Sequence, residues 1–146
     1  MKRILVLIVL LSICWVSCTN EPAIDPAATK ILADTSKYTT ILWLDSIVNF
    51  GSIKMGEQTK VVYRFRNTGN QPLFLANVKA GCGCTVPEYT KEAIAPGGEG
   101  LVTGAFDSNK AHKGEVRKYI FVTTNTKNKT DHTLIFTGLI TEPDSK

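Results

Sequence analysis

The chain has 146 residues, of which 43% are hydrophobic and 21% charged, a balance that fits one folded domain and excludes the disordered and collagen-like classes. Its formal charge is +4, but Lys2 and Arg3 stand in an N-terminal leader and leave +2 for the rest. No basic run or stripe interleaved with aromatics occurs, so the expectation is no nucleic-acid partner.

Met1-Lys2-Arg3 opens onto an uncharged apolar run from Ile4 to Ile13. The run suits the apolar centre of a signal peptide and falls short of the roughly 20 residues that span a bilayer. Trp15-Val16-Ser17-Cys18 follows and resembles the lipobox of bacterial lipoproteins, with small Ser17 before the cut and Cys18 as the acylated new N-terminus. Trp15 stands where Leu is usual. Cys14 is the poorer acceptor because bulky Ile13 precedes it. An uncleaved signal anchor and an ordinary secretory signal are the alternatives. The expected layout is a signal peptide over 1–17, a lipidated tether over 18–40 and a folded domain over 41–146. It implies secretion across the inner membrane and a lipid anchor in the cell envelope, with the outer membrane of a Gram-negative bacterium as the expected site. Each buried acyl methylene contributes about 0.8 kcal/mol, so two or three chains hold such a protein at its membrane. Between Thr19 and Thr40 the residues are mainly Ala, Pro, Thr, Asp and Lys, and Pro22 and Pro26 are expected to interrupt any regular element.

From Ile41 short apolar or alternating runs are separated by turn signals, the pattern of antiparallel strands. Ile41–Leu44 and Ile47–Phe50 give a first, broken strand ended by Gly51, and Thr59–Arg66 alternates with Val61, Tyr63 and Phe65 on one side. Asn67-Thr68-Gly69-Asn70-Gln71-Pro72 is a turn before the run Leu73–Lys79, and Pro96-Gly97-Gly98-Glu99-Gly100 is another before Leu101–Phe106. Val116–Thr124 and Thr133–Thr141 complete the set, with the polar loop Asn125–His132 between them. About seven strands at this spacing predict an all-β, immunoglobulin-like antiparallel β-sandwich. The expected core is Trp43, Tyr63, Phe65, Phe74, Leu101, Phe106, Ile120, Val122, Leu134 and Phe136.

The distinctive chemistry is Gly81-Cys82-Gly83-Cys84-Thr85-Val86-Pro87, two thiols in a compartment that permits disulfides. Three readings stand open. A Cys82–Cys84 disulfide requires the backbone to contract from an extended i to i+2 Cα separation of about 7 Å, which Gly83 permits. So short a loop removes little unfolded-state entropy, and a strained, accessible bond would have a raised reduction potential, which suits thiol-disulfide exchange. The third reading is a metal held by Cys82, Cys84, His112 and His132, although their spacing matches no zinc-finger arrangement. No nucleophile elbow, His-Glu-x-x-His helix or phosphate loop occurs, and the carboxylates Glu88, Glu92, Glu99, Asp107 and Glu115 are scattered. The expectation is therefore a protein without catalytic residues or cofactor.

Taken together, Asn67-Thr68-Gly69-Asn70-Gln71-Pro72-Leu73, the Gly81–Pro87 loop, and Ile94-Ala95-Pro96-Gly97-Gly98-Glu99-Gly100 before Phe106-Asp107-Ser108 resemble a bacterial family, domain of unknown function 1573. The resemblance spans about Asp45 to Thr141, and Tyr89 stands where the family pattern has Trp. It implies an immunoglobulin-type sandwich related to PapD-like and Hydin-like modules, often carried on secreted lipoproteins, and it implies no activity. The leading functional expectation is a tethered, non-enzymatic module that presents loops or a free sheet edge to an envelope protein or polymer. The alternative is a thiol-redox or metal-handling accessory that uses Cys82 and Cys84.

Overall fold

The computed structural model describes residues 26–127 and 129–143; the expected signal peptide, Cys14 and Cys18 lie outside them. One helix, α1 (Pro26–Ala33), precedes eight strands: β1 (Ile41–Trp43), β2 (Ile47–Lys54), β3 (Gln58–Asn67), β4 (Leu75–Ala80), β5 (Thr85–Tyr89), β6 (Glu99–Asp107), β7 (Gly114–Thr124) and β8 (Asp131–Thr141). They form two four-stranded sheets in the orders β1-β3-β6-β5 and β2-β8-β7-β4, the two-layer arrangement of an immunoglobulin-like sandwich. All neighbours run antiparallel except β2 and β8, which are parallel.

The break expected after Leu44 is where the chain passes from one sheet to the other. Leu44 N donates to the Arg64 carbonyl on the first sheet, and Ile135 N donates to the Ser46 carbonyl on the second. Between them Arg64 Nε lies 2.7 Å from Asp45 Oδ2, and hydrogen bonding from Arg64 holds the Asp45 carboxyl below the usual carboxylate range. Helix α1 departs from the expected irregular 18–40 segment. Pro26 is its first residue, a position where the missing N–H has no partner to lose and the fixed φ suits a helix.

Tyr63, Phe65, Phe106, Ile120, Val122, Leu134 and Phe136 are buried as expected, and half-buried Trp43 packs on Phe65 at 5.1 Å between ring centroids. Phe74 and Leu101 are not in the core. Leu73 and Leu75 are buried on either side of Phe74, and Leu101 is 46% exposed while Val102 points inward. Successive side chains of a strand point to opposite faces, and on β6 two of the inward positions are glycines. A Cβ on Gly100 would stand 2.4 Å from Phe65 Cζ, and one on Gly104 would stand 2.9 Å from Ile120 Cδ1. These glycines make room for large neighbours, so hydrophobicity does not mark the inner face.

One end of the sandwich is closed by buried amides. Asn67 and Asn125 are fully buried. Asn67 Oδ1 accepts from Thr39 Oγ1 and Gly69 N, and Asn67 Nδ2 donates to the carbonyls of Gln71 and Ile94. Asn125 Oδ1 accepts from Phe74 N, and its Nδ2 donates to the carbonyls of Lys37 and Pro72. Thr39 joins the two, donating its backbone N–H to the Asn125 carbonyl. The expected polar loop from Asn125 therefore begins as buried framework, and the 18–40 segment enters that framework at Thr39. Gly69 is required by space, since a Cβ would stand 2.1 Å from Thr39 Oγ1. At the opposite end buried Ser108 Oγ donates to the Glu57 carbonyl and accepts from Gly56 N, which pins the β2–β3 turn.

Removing Asn67 would strand partners on Thr39, Gly69 and Gln71, at about 1–3 kcal/mol for each buried orphan. Asn67→Ala should cost about 3 kcal/mol or more in urea unfolding. By contrast Tyr63 Oη is buried without a hydrogen-bond partner, so Tyr63→Phe should leave stability unchanged or raise it.

Candidate functional site

Cys82 and Cys84 are joined in a disulfide with a Cα–Cα distance of 5.3 Å, contracted from the extended value of about 7 Å. The ring lies in the crossover from β4 in one sheet to β5 in the other. It is anchored at both ends, by Gly81 N donating to the Tyr119 carbonyl and by Asp107 N donating to the Cys84 carbonyl. Cys84 is buried within the core and Cys82 is half-buried beside it. Thr85 Oγ1 lies 3.5 Å from Cys82 Sγ and 3.8 Å from Cys84 Sγ. The ring thus sets the angle at which the chain changes sheets, on the flank opposite the β1–β2 crossing.

The structure does not bring the two histidines to these sulfurs. His112 precedes the start of β7, whose Gly114 pairs with Ile140, whereas His132 pairs with Val122 near the other end of the same hairpin. Eight strand positions at about 3.3 Å each separate the two regions. No group of three or more His, Cys, Asp or Glu side chains able to hold a metal occurs among the described residues.

His132 has a different place. It is half-buried against Trp43, with ring centroids 5.8 Å apart, and its Nε2 lies 3.1 Å from both Thr124 Oγ1 and Thr126 Oγ1. Burial first and Lys129 second push its pKa below the ordinary histidine value, while Asp131 acts weakly in the other direction. The unfolded chain takes up this proton near pH 6.5, and the folded chain resists it until lower pH. Stability is then complete above about pH 6.5 and declines as the pH falls through the window below it. Wild type should lose more thermal stability between pH 7.5 and 5.5 than His132→Gln; equal losses would contradict the assignment.

The free sheet edges, expected as docking positions for an added strand, are each blunted. Strand β1 has three residues. On β2 the ladder breaks between Asn49 and Ser52, Gly51 N donates to Asn49 Oδ1, and Lys54 N donates to Glu57 Oε2. Helix α1 packs against β4. On β5, Cys84 and Thr90 make the hydrogen bonds to β6, so Pro87, an odd number of residues from each, turns its missing N–H toward the free edge. The short β5 lies outside the strands expected from sequence, and Pro87 is tolerated in it because it stands at such an edge.

The outward faces carry what remains. On β1-β3-β6-β5, exposed Leu42, Val62 and Leu101 surround Arg64 and Arg66. Both arginines are fixed by carboxylates, Arg64 by Asp45 and Arg66 by Glu99, whose Oε1 lies 2.5 Å from Arg66 Nη2. On β2-β8-β7-β4, Ile47 faces Ile135 and Ile135 faces Tyr119, an unbroken apolar row across three strands. Phe121 stacks with Tyr119 at 6.4 Å.

The same architecture occurs in several solved structures. The chain is similar to a Porphyromonas gingivalis W83 protein of unknown function, with a TM-score of 0.63 and 19% identity over 73% of this chain and 49% of that one. It therefore spans about half of that protein. It is also similar to the ASH/PapD-like domain of human CEP192, with a TM-score of 0.53 and 14% identity over 88% of this chain and 97% of that domain. A third likeness is to the Vibrio cholerae VesB protease, with a TM-score of 0.55 and 13% identity over 76% of this chain but 34% of the protease. At these identities the likeness is one of fold. No curated protein matches in sequence. The family described as "Protein of unknown function (DUF1573)" matches residues 41–140, a span that holds the buried amides, the disulfide crossover and the eight strands except for the last residue of β8, and the chain belongs to that family.

Proposed function

We propose that this protein is an envelope lipoprotein whose sandwich is a non-enzymatic protein-interaction module. The observation that carries this reading is the outward face of β1-β3-β6-β5. Its apolar side chains Leu42, Val62 and Leu101 are interleaved with two arginines already held by carboxylates. A mosaic of apolar area and arginine is the usual composition of a protein–protein interface, and side chains fixed in advance lose less freedom on binding. The fold shared with the ASH/PapD-like domain of human CEP192 is compatible with the same reading. The residues that set this sequence apart are spent on the framework, with Asn67 and Asn125 closing one end and the cysteine ring holding the crossover.

A thiol-redox accessory role for Cys82 and Cys84 is the alternative. Burial of Cys84 weighs against it, because exchange at Cys82 would release a thiolate into apolar surroundings, where it is a poor leaving group.

The full chain should capture a partner from envelope extract, and Leu101→Asp should lower that capture at least tenfold without shifting the melting temperature. Cys82→Ser/Cys84→Ser should retain capture wherever it remains folded. If the double-cysteine variant folds and loses capture while Leu101→Asp keeps it, the thiol reading is correct and the face reading is wrong.

A further inference from the structure

The second sheet presents a surface of different composition. Across β2, β8 and β7 the row Ile47, Ile135, Tyr119 is continuous, and Phe121 lies beside it with Lys79 as its β4 neighbour. Ile47 is 64% exposed, Phe121 48% and Tyr119 38%. Arg117 sits 6.0 Å above the Tyr119 ring and donates from Nε to the Tyr119 hydroxyl. Among the described ion pairs neither Arg117 nor Lys79 has a carboxylate partner. Two acidic side chains share the face: Glu115 opposite Leu139, and Asp131, whose carboxylate accepts from Thr123 and Thr130. The first sheet, by contrast, interrupts its apolar side chains with paired charge.

The stretch of chain between the expected anchor and the fold is short. If Cys18 carries the lipid, seven residues stand between it and Pro26, and the eight Cα-to-Cα steps reach at most about 29 Å when fully extended. Helix α1 begins at Pro26 and packs on β4, the edge strand of this same sheet. The aromatic pair on β7 is one strand away from that edge. Tyrosine settles at a bilayer's headgroup level, where its ring and hydroxyl each find a suitable medium, and phenylalanine beside cations suits the acyl boundary just beneath it. Unpaired Arg117 and Lys79 suit anionic headgroups.

We infer that the outward face of β2-β8-β7-β4 rests on the surface of the lipid bilayer that holds the anchor, which turns the β1-β3-β6-β5 face away from the membrane toward its partner. This inference rests on the lipoprotein reading. It assigns Tyr119 and Phe121 as interfacial contacts and Arg117 and Lys79 as headgroup contacts.

The test uses the full mature chain reconstituted in phosphatidylethanolamine/phosphatidylglycerol vesicles that contain lipids brominated near the top of the acyl chains. Phe121→Trp and Leu101→Trp report on the two faces, with the native Trp43 signal subtracted and circular dichroism confirming the fold of each. Bromolipid quenching at position 121 should exceed that at position 101 at least twofold, and Lys79→Glu/Arg117→Glu should abolish the difference. Equal quenching, or stronger quenching at position 101, overturns the inference, as does a crosslink joining position 121 of two copies without quenching. Mass spectrometry of residue 18 and vesicle flotation separate the two failures. A chain that floats, is acylated and shows no asymmetry refutes the membrane-facing sheet alone, whereas an unacylated chain that does not float refutes the lipoprotein reading as well.

Discussion

The hydrogen bonds of two buried asparagines close one end of this sandwich. A sandwich built from eight short strands must return its chain many times, and each return carries backbone groups that cannot be left unpaired out of water. Asn67 and Asn125 answer this at one end with both oxygen and nitrogen engaged, receiving the segment at Thr39, the turn at Gly69 to Pro72 and the Ile94 loop. An aspartate could accept these bonds but not donate them, and a leucine could do neither. Leu73 and Ile94 are held against each other by reciprocal backbone hydrogen bonds beside this network, so polar closure and apolar packing reinforce one another at the same place.

That arrangement reassigns the residues that set the sequence apart. Gly69 is small because Thr39 occupies the space of its Cβ, and Gly97 has the positive φ at which its N–H reaches the Asn67 carbonyl. Ser108 pins the opposite turn. The Gly-Cys-Gly-Cys segment fits the same logic: it joins edge strands of different sheets, and a covalent ring there holds a crossing that no backbone ladder spans. With its characteristic residues committed to the framework, the domain has its two outward faces left for recognition. Their compositions differ, one mixing apolar side chains with paired charge and the other aligning aliphatic and aromatic side chains in one row.

Much of this architecture was legible because alternation on β3, β7 and β8 is unambiguous, and Tyr63, Phe65, Ile120, Val122, Leu134 and Phe136 are buried where the period of two places them. What escaped has physical causes. Inward Gly100 and Gly104 carry no hydrophobic signal, so Leu101, although it points outward, reads as core alongside Phe106, which is buried. Pro87 stands in β5, which lies outside the expected strands, and a proline is tolerated there only where its N–H has no partner. Helix α1 is short, and its stability comes from packing on β4 rather than from a pattern that stands out in sequence. The buried roles of Asn67 and Asn125 were hidden for a related reason: a turn asparagine and a core asparagine look alike until the carbonyls around them are known. The pairing of Cys82 with Cys84 was one of three open readings, and the distance of His112 from His132 along the β7–β8 hairpin distinguishes it from the metal alternative.

If the framework and the recognition surfaces are separate, photo-crosslinking in intact cells offers the most direct measurement, with a photoreactive residue placed in turn at Leu42, Leu101 and Gly83. Positions 42 and 101 should give a discrete protein adduct, and position 83 in the cysteine ring should give none. A dominant adduct from position 83, with positions 42 and 101 silent, would contradict that separation.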